Sequence, residues 1–237
     1  MDRFIRTEAL IGEDGIKRLE KACIAVFGLG GVGGYVVEML ARSAVGRFIF
    51  VDFDVINESN LNRQILATEY NIGSLKTEEA KKRVLSINSD AYVESYTVRI
   101  ERTEDLDFMN GRRIDYIADA IDNVDGKISI IRYAYKNNIP VISSMGTGNR
   151  LDPELLTICD ITRTTMCPLA RKVRQRLRKD EINGLKVVYS PEQPVLHKNK
   201  FIGSVSFVPS SAGILIASEI IKDIALRHQN KDWRKLK

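Results

Sequence analysis

The chain is poor in cysteine and histidine. Its three cysteines, Cys23, Cys159 and Cys167, are too few and too scattered for a disulfide framework. None belongs to a C-x-x-C pair, so the four thiolates of a tetrahedral structural zinc site are not available and no zinc is expected. The two histidines, His197 and His228, lie in polar segments and are assigned no chemistry. A long apolar run is also missing. The longest uncharged stretch, 201–218, contains Pro209 and five serines, and the apolar run after it is interrupted by Glu219, Lys222 and Asp223. That is the pattern of a buried amphipathic element, and no membrane span is expected. Residues 1–11 are charged, unlike a secretory signal, and a reducing, cytoplasmic compartment is expected. The 16 glycines and 6 prolines form no linker, and 237 residues suit a single domain, 1–237.

What is present is a globular composition, 44% hydrophobic and 28% charged, which excludes disorder. Lysine and arginine number 36 against 31 acids, a net charge of +5 with a pI near 9.0. Such a surplus favours polyanionic partners only where it is concentrated, and here it gathers at 171–179. Short runs rich in Val, Ile and Phe at 23–27, 48–51, 92–97, 116–120 and 141–144 alternate with helical-period segments at 33–43, 76–87 and 126–137. The alternation predicts an α/β, Rossmann-like, mostly parallel sheet with helices on both faces. Ser74 is the candidate N-cap of the second helix, with Glu78 and Glu79 in its first turns. After Gly146 come a strand-like run at 155–159, a basic helix at 168–179, short strands near 186–189 and 204–208, and a final helix from 211 to about 226. Strands of this second half extend the sheet.

The strongest local signal is Gly28-Leu29-Gly30-Gly31-Val32-Gly33, between the first strand and the first helix. Its glycines allow a tight turn and close backbone approach, and the helix N-terminus offers N–H groups to a phosphate. The motif alone also fits a dinucleotide-binding oxidoreductase, with Asp52 placed as the ribose-binding acid. The following residues separate the two readings. Asp52-Phe53-Asp54, Ser59-Asn60-Leu61-Asn62-Arg63-Gln64 and Gly73-Ser74-Leu75-Lys76 set an arginine and a lysine beyond the ribose acid. A nicotinamide site has no need of them, whereas a departing pyrophosphate requires cations. Asp122-Asn123, just past the fourth strand, lies at the sheet edge where such folds bind ligands, and a carboxylate there can hold Mg²⁺ against phosphates.

Taken in order and spacing, GLGGVG, DFD, SNLNRQ, GSLK and AIDN resemble the adenylating domain of the ubiquitin-activating-enzyme-like superfamily, which includes the molybdopterin-synthase and thiamine-biosynthesis adenylyltransferases. The resemblance implies ATP and Mg²⁺ as cofactors and a homodimer. The segment Arg3-Phe4-Ile5-Arg6 matches the superfamily's arginine-bearing arm, so Arg6 is expected to reach the partner subunit's ATP. By the same matching Gly31 approaches the phosphates, Asp52 holds the ribose, Asn60, Arg63 and Lys76 contact the phosphates, and Asp122 binds the metal. The nucleotide set is thus Gly28, Gly30, Gly31, Gly33, Asp52, Asp54, Asn60, Arg63, Gln64, Lys76, Asp122 and Asn123. The catalytic set is Arg6, Arg63, Lys76 and Asp122, and residues 1–150 form the ATP-binding half.

Residues 151–237 form the acceptor half and select the branch. The molybdopterin and thiamine branches generally carry two C-x-x-C pairs, absent here. Instead Cys167-Pro168-Leu169-Ala170-Arg171-Lys172-Val173-Arg174-Gln175-Arg176-Leu177-Arg178-Lys179, with later VVYSPE and SVSFVPSSAG, resembles the tRNA threonylcarbamoyladenosine dehydratase branch. The basic helix makes a separate case. Six of the nine residues 171–179 are cationic, and Leu169, Val173 and Leu177 form one apolar stripe. The charge can serve as a solvated face or neutralise RNA phosphates. Arg171, Lys172, Arg174 and Arg178 are the tRNA-binding candidates. Cys167 is the one thiol placed for reactivity, because a helix N-terminus follows it and would lower its pKa; a packing role also suits it.

The resemblance implies cyclisation of threonylcarbamoyladenosine in tRNA through an acyl-adenylate. Adenylation of a ubiquitin-like sulfur carrier, a nicotinamide-dependent oxidoreductase and an inactive RNA-binding module are the alternatives. A sulfur- or electron-transfer protein partner is left open.

Overall fold

The apolar runs of the first half form five strands: β1 (Cys23–Phe27), β2 (Arg47–Val51), β3 (Tyr92–Tyr96), β4 (Tyr116–Asp119) and β5 (Val141–Ser144). β6 (Thr157–Asp160) and β7 (Lys186–Tyr189) follow. The computed structural model describes residues 3–195 and 202–226. The sheet order is β3-β2-β1-β4-β5-β7-β6, parallel except for β6 against β7. Strand order reverses between β1 and β4, and in open α/β sheets the crevice at such a reversal is where ligands bind.

Helices α1 (Ile5–Lys21), α2 (Gly33–Ala41), α3 (Lys76–Ile87), α4 (Val124–Lys136), α5 (Pro168–Lys179) and α6 (Phe207–Ala225) cover both faces. Alternate strand residues build two cores. Ile24, Val26, Phe48, Phe50 and Ala118 meet α2, α3 and α6, whereas Ala25, Phe27, Ile49, Val51 and Ile117 meet α4 and α5. The expected architecture is therefore observed. Among the described residues no helix is long and apolar enough to cross a membrane.

Local expectations are corrected at three places. Residues 204–208 are not a strand, because α6 begins at Phe207. The alternation of Ser204 to Val208 mimics a strand, but Val208, Ala212, Ile216 and Ile220 continue one buried helical stripe, and Pro209 is tolerated in a first turn that needs no N–H from it. Ser74 does not cap α3. Leu75 holds that position without a side-chain bond, and the Ser74 backbone instead bonds Asn71 and Ile56. The run 155–159 splits into a short turn, Pro153–Leu155, and edge strand β6. The charged N-terminus is helix α1, broken by Gly12.

Candidate functional site

At the carboxyl ends of β1 and β4 the chain leaves an open cleft of about 320 Å³. The glycines of the loop after β1 divide by what surrounds them. Gly28 has φ +83°, and a Cβ on it would lie 2.8 Å from the Ala120 backbone. A Cβ on Gly33 would lie 1.7 Å from the Gly28 carbonyl oxygen. These two close the turn on itself. At Gly30 a Cβ would meet nothing nearer than the Gln64 amide nitrogen at 3.8 Å, so the space beside it belongs to the cleft. Gly31 lies against Pro209 and Arg63.

Asp52, one residue past β2, is buried and ties the loop to the sheet. Its Oδ2 accepts the Leu29 N–H at 2.6 Å and its Oδ1 the Asp54 N–H at 2.8 Å. Each oxygen keeps a lone pair for a ribose hydroxyl. Burial raises its pKa, against the lowering by Lys76 and the two backbone N–H groups. The ionised form, which can accept a hydrogen bond at each oxygen, is then lost at a higher pH than for an ordinary aspartate. In calorimetric titrations ATP affinity should fall as pH drops through this raised value, and Asp52→Asn should flatten that fall. An affinity independent of pH until the ordinary aspartate range, about 4, would remove Asp52 from the ribose.

Next along the cleft come two turns. Asn60 is buried and its Oδ1 accepts the Asn57 N–H at 3.1 Å. Gln64 is buried too, and among the described residues its Oε1 has no hydrogen-bond partner, an acceptor left for a ligand or water since buried polar atoms are rarely orphaned. Arg63 donates from Nη1 to the Ser59 carbonyl and to Asn62 Oδ1, both at 2.8 Å. The buried Lys76 ammonium, at the start of α3, donates to Asp54 Oδ2 at 2.7 Å. Asp122 is exposed at the cleft, and no hydrogen bond or ion pair among the described residues engages its carboxylate. A carboxylate of this kind beside the glycine loop has the oxygen donors that Mg²⁺ prefers. Asn123 is committed to the fold: its Oδ1 accepts the Gly126 N–H as the α4 cap, and its Nδ2 donates to the Ile100 carbonyl.

Every nucleotide candidate except Gly33 lines this cleft; Gly33 shapes it from behind. Arg6 does not line the cleft of its own chain. Arg3 pins the arm to the end of α3 through the Ile87 carbonyl and Ser89, Phe4 packs with Ile16 and Ala44, and Arg6 is left exposed on α1. Sequence reasoning did not find Phe53, Val98, Arg99, Ile100, Thr147, Ser204 and Pro209, which also line the cleft. Arg99 stacks on the Phe53 ring at 5.0 Å. Phe53 lies within the DFD motif and Ser204 and Pro209 within the SVSFVPSSAG segment, whereas only contact across the chain reveals the others.

On α5 the candidates separate. Arg171, Lys172 and Arg178 are exposed. Arg174 is half-buried and donates to the Thr164 carbonyl at 3.0 Å, to Thr164 Oγ1 at 2.6 Å and to the Ile161 carbonyl at 3.3 Å. All three bonds leave from Nη1, so the residue fastens the helix to the preceding turn while being less exposed than its three neighbours. Cys167 is buried, and its Sγ accepts the Ala170 N–H as the α5 cap, which is a packing position. Burial pushes the Cys23 and Cys159 thiols up to about 11, leaving both protonated at neutral pH. Among the described residues no cluster of three His, Cys, Asp or Glu could hold a metal. His197 and His228 lie outside the described residues.

A profile of the ThiF family matches residues 2–235. The tRNA threonylcarbamoyladenosine dehydratase of Bacillus subtilis is 35% identical over 243 aligned positions, covering 94% of this chain and 95% of its own. That of Haemophilus influenzae is 43% identical over 178 positions, 75% of this chain and 68% of its own. The crystal structure of E. coli TcdA, a tRNA N6-threonylcarbamoyladenosine dehydratase in complex with ATP, superposes with a TM-score of 0.89 at 30% identity, covering 97% of this chain and 96% of that one.

Proposed function

The chain belongs to the ThiF family, among its tRNA threonylcarbamoyladenosine dehydratases, and on that premise we propose how its cleft cyclises threonylcarbamoyladenosine in tRNA with ATP as co-substrate. The observation that carries the proposal is the gathering of Asp52, Asn60, Arg63, Gln64, Lys76 and Asp122 around one glycine loop at the strand-order reversal. Residues 1–237 act as one adenylating unit, with 1–150 binding ATP and 151–237 supplying the acceptor side.

The glycine loop receives the ATP phosphates while Asp52 accepts the ribose hydroxyls. The threonyl carboxylate attacks the α-phosphorus, a P–O bond forms as the bond to pyrophosphate breaks, and an acyl-adenylate results. Arg63 and Lys76 neutralise the charge that accumulates on the leaving pyrophosphate. Asp122 would hold Mg²⁺, which when bound supplies further neutralisation at the phosphate oxygens. The carbamoyl nitrogen of the same nucleoside then attacks the activated carboxyl carbon, loses its proton and expels AMP, closing a five-membered hydantoin. Tethering of nucleophile and electrophile in one nucleoside supplies much of the rate by proximity. No thiol is required, in keeping with three protein thiols that are buried or partly so.

ATP–pyrophosphate exchange tests the substrate class. Modified tRNA should stimulate the exchange and a ubiquitin-like sulfur carrier should not. Stimulation by the carrier alone would overturn the RNA reading in favour of a protein carboxylate.

We further propose a homodimer in which Arg6 completes the partner's site, because Arg6 is absent from its own cleft. Mixed dimers of Arg6→Ala and Lys76→Ala subunits should regain part of the activity each homodimer lacks, by rebuilding one intact site. No recovery in proven heterodimers would exclude action across the interface. For tRNA, the exposed Arg171, Lys172 and Arg178 are the proposed phosphate contacts on α5. Arg171→Glu with Arg178→Glu should weaken tRNA binding at physiological salt by at least about tenfold and flatten its salt dependence. Unchanged affinity would make α5 a solvated face.

A further inference from the structure

Directly behind the cleft, Asp119, Lys127 and Ser143 are all wholly buried. Lys127 Nζ donates to Asp119 Oδ2 at 3.0 Å and to Ser143 Oγ at 3.2 Å, and Ser143 Oγ donates to the same carboxylate oxygen at 2.6 Å. Removing an aspartate and a lysine from water is costly, and packed apolar side chains in their place are often equally stable or more so. Net stability is therefore a weak reason for this cluster. Its geometry offers a better one. Asp119 ends β4, Lys127 lies in the first turn of α4 and Ser143 lies on β5, so one carboxylate joins three elements where they meet beneath the cleft.

The other oxygen, Oδ1, accepts the Ile121 N–H at 3.3 Å, one residue before Asp122. On the far side of Asp122, Asn123 is held by its cap bond to Gly126 and its bond to Ile100. The turn that carries Asp122 is thus clamped at both ends. The same turn supports the phosphate loop, since the Ala120 N–H donates to the Phe27 carbonyl at 2.8 Å and the Ala120 backbone abuts Gly28. An apolar trio could fill the space but could not receive the Ile121 N–H.

We propose that Asp119, Lys127 and Ser143 are positioning residues that hold the 120–123 turn, and through it the Asp122 carboxylate, in register for Mg-ATP. The inference rests on the reading of the cleft as an ATP site with Asp122 at the phosphates. Partners that orient a metal-binding group have sizeable effects on affinity although they touch neither metal nor substrate.

The test is calorimetric titration of ATP at a series of MgCl₂ concentrations into the full-length Ser143→Ala and Asp119→Asn proteins, each made in the wild-type and in the Asp122→Ala background. Unliganded thermal unfolding is recorded in parallel, and where Asp119→Asn does not fold, Ser143→Ala and Lys127→Arg take its place. Each variant should raise the Kd for Mg-ATP about tenfold in the wild-type background. In the Asp122→Ala background the same change should have almost no effect, because the group being positioned is gone. Equal losses in both backgrounds, or lower thermal stability with unaltered affinity, would make the cluster merely structural and overturn the inference while leaving the ATP site intact. An Asp122→Ala protein that binds Mg-ATP as tightly as wild type would overturn the underlying reading, and the inference with it.

Discussion

Replacing Lys76 by alanine should lower ATP-dependent cyclisation by about 10²–10³-fold, the loss that follows removal of one preorganised group facing developing charge. Lys76 is 4% exposed at the start of α3, with its ammonium 2.7 Å from Asp54 and facing the cleft. It is placed to meet the negative charge that grows as pyrophosphate departs, where burial makes a cation worth more than it would be in water. The fold should tolerate the change. Asp54 has a side chain 44% exposed, so it rehydrates when its partner is lost and no buried charge is left unpaired. Activity and thermal midpoint should therefore part company: cyclisation falls steeply while unfolding hardly moves. Activity within threefold of wild type would place the lysine outside the chemistry, and a collapse of the midpoint would make it a structural residue.

The second large effect separates residues that look alike in the motif. Gly33→Ala should destabilise the protein by more than about 4 kcal/mol, in the exceptional range for a single substitution, because its Cβ would sit 1.7 Å from a backbone oxygen of the same loop. No side-chain movement relieves a clash between two parts of one tight turn. Gly30→Ala should fold normally, since its Cβ would meet only the Gln64 amide at an ordinary 3.8 Å. It should nonetheless weaken ATP binding, because the methyl group would project into the cleft that Gly30 lines. Urea unfolding and ATP titration of the pair check both halves. A stable Gly33→Ala protein, or a Gly30→Ala protein with unaltered ATP affinity, would contradict the division of labour in the loop.

The sheet, its two covered faces and the nucleotide cleft were legible because their signals are local. Strand periodicity marks β1 to β5, and the glycine loop, Asp52 and Asp122 each lie within a few residues of a strand end, where topology places ligands. Features that depend on contact between distant segments were not legible. The hydrogen bonds joining Asp119 to Lys127 and Ser143 span 8 and 24 residues, and nothing in the local pattern shows that a lysine of α4 turns inward. The same holds for Arg174, which reads as one more cation on a basic helix until the Thr164 oxygens are found beside it. Residues 204–208 alternate polar and apolar like a strand, yet only Phe207 and Val208 enter a regular element, the first turn of α6, whose buried stripe shares a core with α2. Gly33 and Asn123 match the nucleotide motif, yet steric closure of a turn and capping of a helix account for their places. A motif records which residue types recur together; distances tell which of them face the ligand.

Mass spectrometry of nucleosides tests the central claim most directly. Transfer RNA carrying the open threonylcarbamoyl group would be incubated with the full-length protein and Mg-ATP, then digested. An ATP-dependent product lighter by one water is expected, formed with release of AMP and pyrophosphate and abolished by Asp122→Ala. A modified nucleoside of unchanged mass, from a protein shown to bind ATP, would contradict cyclisation and leave an adenylating enzyme whose carboxylate substrate lies elsewhere.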